Sequence, residues 1–395
     1  MKIIAILENK IDDGGAFNQA LNAITQMRRI CEGRFEFEVF STVKENTDDL
    51  KKLGISCTWV PITFADKIIA MLTDWRWWGR IQNLIKIHGP FEKKLIQHGC
   101  DLVYFLTQSS NSKLLQQTNF ITTVFDLCHR DTPEFPEVRS FGKFLAIEEH
   151  FKRNLASALV VITESERLSD TVSRRYGIDR ERCLSMPMSA SPLLQDEVSS
   201  DTSYVLKKYN LKLGYFFYPA QFWAHKNHIR ILEALVHLRE AGIQYNVVFA
   251  GGDKGNKKHV EKFAAQNFLN EQVRFLGFVP AEDMRGLYEG SVAVVMPTYF
   301  GPTNLPPFEA WLIKRPLVYS SQLKEQAGVA AFYANPDDAM ELAAAMRSCA
   351  NTEIAASLVE KGTSRLRQIE KLREDAEIKL MNRLIQFEIR RRCWS

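Results

Sequence analysis

The chain has 395 residues, enough for two domains that each bury a hydrophobic core of their own. Hydrophobic residues make up 46% of the sequence and charged residues 25%, as in ordinary soluble enzymes. A formal net charge of +4 is too small to indicate a nucleic-acid-binding protein. The seven cysteines are dispersed and form no Cys-x-x-Cys pair, which predicts reduced thiols and argues against a zinc site.

The first residues, "MKIIAILENKIDD", form a short apolar run that Glu8 interrupts. This run is too short and too polar for a signal peptide. No window approaches about 18 uninterrupted apolar residues, the length that a membrane-spanning helix needs. The sequence therefore predicts a cytoplasmic protein, and it leaves open a peripheral association with the inner face of the membrane.

Short apolar runs alternate with amphipathic segments along the whole chain. The clearest runs are "KIIAIL", "DLVYFL", "ITTVFDL", "ALVVIT", "YFFYPA", "YNVVFAGG", "VRFLGF" and "VAVVMP". Such runs, separated by helical stretches, are typical of parallel strands that are covered on both faces. The predicted fold class is α/β with two doubly wound sheets. Residues 187–205 are rich in Ser, Pro and Asp and are predicted to link the two sets.

Loops that follow strands are the places to look for a ligand, because open α/β sheets bind ligands at the carboxyl ends of their strands. The first such loop contains Gly14 and Gly15, directly before a helix. Glycines there allow close approach of the backbone to a ligand, and the helix N-terminus offers N–H groups to an anion. A tight strand–helix turn is the alternative explanation.

The segment around residues 75–80 combines Trp75, Trp77 and Trp78 with Arg76 and Arg80. Tryptophan interleaved with arginine is typical of a membrane interface. The alternatives are a wall of an acceptor cleft and ordinary core aromatics, so membrane contact is left open.

The loop "AQFWAHKNH" precedes a predicted helix in the second half of the chain. Lys226 would place a cation at the mouth of the cleft, where it could neutralise a diphosphate. Gln221, His225 and Asn227 add polar groups to the same loop. The alternative is a solvated helix cap with Asn227 at the N-cap.

A further strand ends in Gly251, where backbone could line a nucleobase pocket, although a helix-entry turn would also use glycine. In "FGPTNLPPFEAW" the residues before the prolines are predicted to leave free N–H groups, on Thr303, Asn304 and Leu305, at a helix N-terminus that faces an anion. Glu309 could accept hydrogen bonds from a ribose. Alternatively, Glu309 only complements the helix dipole.

These residues resemble a known family. "LPPFEAW", the preceding "FVPAEDMRGLYEGSVAVVMPT", "AQFWAHKNH", "VITESERLSDTVSRRYGI" and "VFDLCHRDTPEFPE" look like the retaining GT-B glycosyltransferases, which include sucrose and glycogen synthases and bacterial mannosyltransferases. The resemblance implies a Rossmann-like acceptor domain in residues 1–195 and a Rossmann-like nucleotide-sugar domain in residues 205–375. It also implies that a helix in residues 376–395 crosses back to the first domain.

The family's site roles carry over by position. Lys226 would bind the donor diphosphate, Thr303 to Leu305 would supply backbone phosphate contacts, Glu309 would bind the ribose, and the loop with Gly14 and Gly15 would approach the diphosphate. The resemblance implies a nucleotide diphosphate sugar as donor substrate and no other cofactor. Because the sequence contains no Asp-x-Asp pair, metal-independent catalysis is predicted.

Two positions depart from the family pattern. The family commonly carries two glutamates with seven residues between them, and the first would fall at Gly301. Where the family often has a histidine before an aspartate, this chain has Phe125, which leaves Asp126 and His129 as nearby polar candidates for catalytic roles. A structural role for His129 is the alternative.

The resemblance therefore predicts a retaining hexosyltransferase, with GDP-mannose as the first choice of donor. It would act on a glycan or lipid-linked acceptor in surface polysaccharide or lipopolysaccharide synthesis. Two alternatives remain: a sugar-nucleotide epimerase of the same fold, and a non-catalytic glycosyltransferase-like partner. Neither nucleic acid nor a particular oligomeric state is indicated.

Overall fold

A computed structural model describes residues 1–73, 78, 80–81, 87–195, 201–301 and 304–394 of the chain. Within these residues the chain forms two parallel β-sheets, one of seven strands and one of six. The predicted fold class, α/β with two doubly wound parallel sheets, is confirmed.

The first sheet has the strand order β3-β2-β1-β4-β5-β6-β7. Its strands are β1 (Lys2–Leu7), β2 (Glu36–Ser41), β3 (Cys57–Trp59), β4 (Leu102–Phe105), β5 (Asn119–Val124), β6 (Val160–Thr163) and β7 (Cys183–Ser185). The helices along this part of the chain are α1 (Gly15–Cys31), α2 (Asn46–Lys52), α3 (Phe64–Leu72), α4 (Pro90–Gln97), α5 (Cys128–Asp131), α6 (Pro136–Arg139), α7 (Lys143–Ser157), α8 (Glu166–Tyr176) and α9 (Pro192–Gln195).

The second sheet has the strand order β10-β9-β8-β11-β12-β13. Its strands are β8 (Tyr215–Pro219), β9 (Val247–Ala250), β10 (Val273–Phe275), β11 (Ser291–Met296), β12 (Leu317–Ser320) and β13 (Phe332–Ala334). Its helices are α10 (Thr202–Lys208), α11 (His228–Glu240), α12 (Lys257–Gln266), α13 (Ala281–Glu289), α14 (Leu305–Leu312), α15 (Lys324–Ala327), α16 (Ala339–Cys349) and α17 (Thr352–Arg391).

Burial explains why the apolar runs become strands. All five residues from Ile3 to Leu7 in β1 are fully buried, as expected for a central strand with helices on both faces. In each sheet the strand order reverses at one point, between β1 and β4 and between β8 and β11. Loops that leave neighbouring strands at such a reversal diverge and open a crevice, so these two edges are the natural ligand sites.

The chain divides into two compact units. Unit 1 comprises residues 1–127, 145–187 and 372–395, and unit 2 comprises residues 128–144 and 188–371. Leu380, Leu384 and Phe387, in the last part of α17, are buried. The domain boundaries predicted from the sequence remain a prediction. The division into units assigns α5 and α6 to unit 2.

We predict that Gly362→Ala destabilises the protein. A Cβ on Gly362 of α17 would overlap the indole ring of Trp311, which is 1% exposed and donates from Nε1 to the carbonyl of Ala330 at 3.0 Å. Glycine to alanine inside a helix normally stabilises by about 0.5–1 kcal/mol, but overpacking a buried ring costs about 1–3 kcal/mol. Urea unfolding should therefore show a lower midpoint.

Gly15→Ala is the matched control, since a Cβ on Gly15 at the start of α1 meets no atom within 4 Å. Its midpoint should equal or exceed that of the wild type, because alanine replaces a helical glycine there without a clash. An increase in stability for Gly362→Ala would show that the ring of Trp311 moves freely.

Candidate functional site

Lys226 lies at the carboxyl edge of the second sheet, where the strand order reverses. It ends a 3-10 turn, Ala224–Lys226, between β8 and α11. Its ammonium Nζ donates to Oδ1 of Asn304, 2.9 Å away, in the loop that follows β11. The two loops that leave β8 and β11 are therefore joined by this hydrogen bond, and the predicted cation and the predicted helix N-terminus are brought together.

Asn304 is the N-cap residue of α14 and is 6% exposed. Its backbone N–H donates to Oε1 of Gln326 at 3.0 Å, and Nε2 of Gln326 donates back to its carbonyl at 2.6 Å. The expectation of a free Asn304 amide was therefore wrong, because a glutamine 22 residues away already accepts from it. Leu305, as the first residue of α14, has an N–H with no acceptor inside the helix. Thr303 lies outside the described residues.

Gly301 has a φ of 102°, in a region that residues with a Cβ rarely adopt. A Cβ built there would lie 3.0 Å from Oδ1 and 3.2 Å from Nδ2 of Asn304. Nδ2 of Asn304 also donates to the carbonyl of Gly301 at 2.9 Å. A glutamate would therefore fit this loop only with a different backbone, and the asparagine amide occupies the adjoining space.

Glu309 lies in α14 and is 6% exposed. Oε2 of Glu309 accepts a hydrogen bond from the hydroxyl of Tyr288, and the carboxylate also accepts from the backbone of Ser191. Burial raises the pKa of Glu309 to about 7, against the hydrogen bonds from Tyr288 and Ser191, which lower it. Its proposed ribose contact stays a prediction, but the side chain does more than complement the helix dipole.

Asn227 and Gln221 accompany Lys226 in the predicted site. Asn227 adopts a left-handed conformation with a φ of 56° and makes no side-chain cap. Its Nδ2 donates to the carbonyls of Pro297 and Pro336, at 3.1 and 2.8 Å. Both amide protons are thus used inside the protein, so Asn227 holds the loop and cannot also donate to a phosphate. Oε1 of Gln221 accepts from the indole of Trp223 at 3.2 Å.

Gly251 is required by close packing of the backbone. A Cβ on Gly251 would overlap the carbonyl of Ala220 and approach the amide of Gln221 at 2.7 Å. Its own N–H donates to the carbonyl of Gly277 at 2.7 Å. This close approach accounts for the glycine without a nucleobase, so the nucleobase contact of Gly251 stays a prediction.

In unit 1, Gly14 is the N-cap of α1 and Gly15 is the first residue of that helix, which follows β1. Gly14 has φ 59° and ψ −106°, which favours glycine, and Gly15 has open space around it. Asp126 follows β5, and its carbonyl accepts from Nε2 of Gln108 at 3.4 Å. His129 in α5 belongs to unit 2, is 1% exposed and packs against Phe144, with ring centroids 5.6 Å apart.

The sequence did not predict two groups of polar residues that the structure brings together. Glu137 in α6 accepts from both the backbone N–H (2.9 Å) and Nδ1 of His225, the residue before Lys226. In unit 1, Oε1 of Glu8 accepts from Ser109 at 2.9 Å and from Asn111. The partners are 88 and more residues apart in the chain, so no local motif signals either pair.

The tryptophan segment is described only in part. Trp75, Arg76 and Trp77 lie outside the described residues. Trp78 is 7% exposed, which favours a core position for this ring, and Arg80 is exposed. Among the helices that the structure describes, none combines the length and apolarity that a membrane crossing needs. Within the described ranges no group of three His, Cys, Asp or Glu side chains is arranged to hold a metal ion.

Comparison with known sequences gives a family match within unit 2. Residues 214–352 match the family model described as "Glycosyl transferases group 1". The chain is 24% identical over 332 residues to the O-antigen chain mannosyltransferase RfbU of Salmonella typhimurium, covering 82% of this chain and 84% of that protein. It is also 25% identical over 222 residues to the O-antigen chain mannosyltransferase B of Escherichia coli; that match spans 55% of this chain and 58% of the relative, less than two thirds of its length.

Solved structures share the fold at low sequence identity. HepE of Anabaena, solved in complex with UDP and glucose, superposes with a TM-score of 0.72 at 17% identity and covers 97% of this chain and 100% of its own. WaaG, a glycosyltransferase involved in lipopolysaccharide biosynthesis, gives a TM-score of 0.65 at 12% identity and covers 95% and 98%. These likenesses support the GT-B fold.

We predict that Glu309 makes stability depend on pH. Its pKa is about 7 in the folded protein against an ordinary value of 4.5, so the folded state binds the proton more tightly. Stability from this group is therefore complete below pH 4.5 and is lost as pH rises through 7. The loss amounts to on the order of 3 kcal/mol.

Comparison with Glu309→Gln isolates this effect, because glutamine does not titrate. The difference in free energy of unfolding between the two proteins should shift in favour of the variant between pH 5 and pH 8. A difference that stays constant across this range would contradict the burial of an ionisable carboxyl at position 309.

Proposed function

We propose that this chain is a group 1 glycosyl transferase with the GT-B fold. It transfers a hexose from a nucleotide diphosphate sugar to a glycan or lipid-linked acceptor, with retention of anomeric configuration. The observation that carries the proposal is the hydrogen bond between Lys226 and Asn304 at 2.9 Å. It puts a cation beside the first turn of α14, at the reversal point of a sheet that lies within the matched family region.

The charge at this position suits a diphosphate. Lysine donates as a compact point charge, and a helix N-terminus carries partial positive charge and amides such as that of Leu305. In the transfer, the bond between the sugar C1 and the diphosphate oxygen breaks while C1 bonds to the acceptor oxygen. The acceptor proton moves to the leaving diphosphate on the same face. Lys226 stabilises the negative charge that grows on the leaving group.

Glu309 serves the nucleoside part of the donor. A carboxylate one turn inside α14 can accept hydrogen bonds from ribose hydroxyls, as acidic side chains do in other nucleotide sites. Tyr288 fixes this side chain from within the protein, so its direction is set before the donor binds. Asp126 and His129 stay candidates for contacts with the reacting sugars, without metal in the chemistry.

The choice of donor and acceptor comes from the relatives. Two of them are O-antigen chain mannosyltransferases, which favours GDP-mannose as donor and a surface polysaccharide or lipopolysaccharide as product. HepE, which shares the fold, has been solved in complex with UDP-glucose, so a UDP-sugar is the competing donor. A lipid-linked acceptor would place the enzyme in the cytoplasm, at the inner face of the membrane.

Lys226→Ala tests the site. We expect the rate of mannose transfer from GDP-mannose to a lipid-linked oligosaccharide fraction to fall at least 100-fold, since removing a charge that stabilises a leaving group costs about 3 kcal/mol. The rise in melting temperature that GDP causes in the wild type should also become smaller. Lys212→Ala, which changes an exposed lysine before β8, is the control and should retain both. Full activity in Lys226→Ala would refute the site.

The reaction class has its own test. Proton NMR of the product should show the same anomeric configuration as the donor, and excess EDTA should leave the rate unchanged. The donor incubated without an acceptor should keep its sugar, because an epimerase would convert it. Inversion at C1, loss of rate with EDTA or conversion of the donor alone would each require another mechanism.

A further inference from the structure

His225, the residue before Lys226 in the chain, pairs its imidazole with the carboxylate of Glu137. The side chains of His225 and Glu137 are 11% and 8% exposed. Oε1 of Glu137 accepts from the His225 backbone N–H at 2.9 Å and also contacts Nδ1. Burial alone would raise the pKa of Glu137. The hydrogen bonds from His225 lower it by more, so this pKa lies below its ordinary value. Since the ionised carboxylate only accepts, Nδ1 carries a proton.

Aromatic rings fix the plane of this imidazole. Phe300 stacks on His225 with ring centroids 3.9 Å apart and planes 15° apart. Phe135, two residues before Glu137, packs its edge against Phe300 at 5.4 Å. The carbonyl of His225 accepts from the backbone N–H of Tyr299 at 3.0 Å. One histidine is therefore held by α6 on one side and by the loop after β11 on the other.

The backbone of Lys226 is defined by the same contacts. The residue before it, His225, is bonded through both main chain and side chain, and the carbonyl of Lys226 itself accepts from the hydroxyl of Tyr218 at 2.8 Å. Because these contacts fix the backbone of Lys226, only its side chain remains to be ordered at the phosphate. The hydrogen bond to Asn304 then sets the direction of the ammonium.

We infer that Glu137 is a positioning residue for donor binding and transfer, acting through His225 and Phe300 on Lys226 and on the loop that carries Gly301. The inference rests on the proposed function, because it needs Lys226 to meet the diphosphate. It adds that the segment of residues 128–144, which contains no predicted diphosphate contact, controls the donor site from a distance. Glu137 itself touches neither the phosphate nor the sugar.

A double-mutant cycle separates positioning from general support of the fold. The proteins are the wild type, Glu137→Gln, Lys226→Met and the double variant, and the probes are GDP affinity by calorimetry and the kcat and KM for GDP-mannose. Glu137→Gln should weaken GDP binding about 10-fold and lower kcat more than it raises KM, because Lys226 acts most strongly on the charge of the transition state. In the Lys226→Met background the same change should have less than a 2-fold effect on GDP affinity.

Glu134→Gln is the matched control, since Glu134 is exposed and lies in the same segment three residues earlier. Phe300→Leu is a second route to the same result, because it removes the stacking ring and leaves Glu137 in place. Both it and Glu137→Gln should lose their effect on GDP affinity when Lys226 is absent.

The outcomes distinguish the two hypotheses. If Lys226→Met leaves GDP binding and transfer unchanged, the proposed function and this inference both fall. If Lys226→Met impairs both, but Glu137→Gln is silent or has the same effect in both backgrounds, the inference alone is overturned. If Glu137→Gln lowers the melting temperature so far that it cannot be assayed, Phe300→Leu decides by the same criterion.

Discussion

The hydrogen bond from Lys226 to the side chain of Asn304 joins the loops after β8 and β11, and the candidate site depends on it. Both loops leave neighbouring strands at the point where the strand order of the second sheet reverses. Backbone diverges at such a point and leaves a crevice, so the polar groups around it must bond to each other, to water or to a ligand. The lysine and the asparagine satisfy part of that requirement between themselves.

Support for this bond comes from residues far along the chain. Gln326 pairs with both the N–H and the carbonyl of Asn304, and the hydroxyl of Tyr319 donates to the same glutamine oxygen at 2.7 Å. On the other loop, Asn227 is tied to the carbonyl of Pro297. A buried polar network of this kind stabilises one conformation when all of its members are satisfied. Asn304 and Asn227 are therefore held in place, which lowers the cost of ordering them when a ligand binds.

These long-range partners define what the sequence could and could not predict. Apolar runs such as "KIIAIL" predicted the strands and the fold, because strand burial depends on the local pattern of side chains. Lys226 and Glu309 could be chosen as candidates, since each lies in a loop or helix that follows a recognisable strand. The use of the Asn304 amide, the packing reason for Gly251 and the pair of Glu137 with His225 depend on residues 22 to 88 positions away, or on backbone contacts. No periodicity encodes such contacts.

Glycine at position 301, where the family pattern has a glutamate, changes the charge and the packing around Lys226 and Asn304. A carboxylate at position 301 would cancel part of the charge of Lys226, whereas the amide oxygen of Asn304 accepts from the ammonium and leaves its charge intact. The φ of 102° at Gly301 lets the loop pass close to that amide, at a distance where a side chain would crowd it. Burying Glu309 costs little free energy while its side chain is a neutral acid, and its raised pKa lets a ligand favour the charged form. The candidate site thus keeps the positive charge of Lys226 beside the first turn of α14 and holds the carboxyl of Glu309 in a form that ligand binding can change.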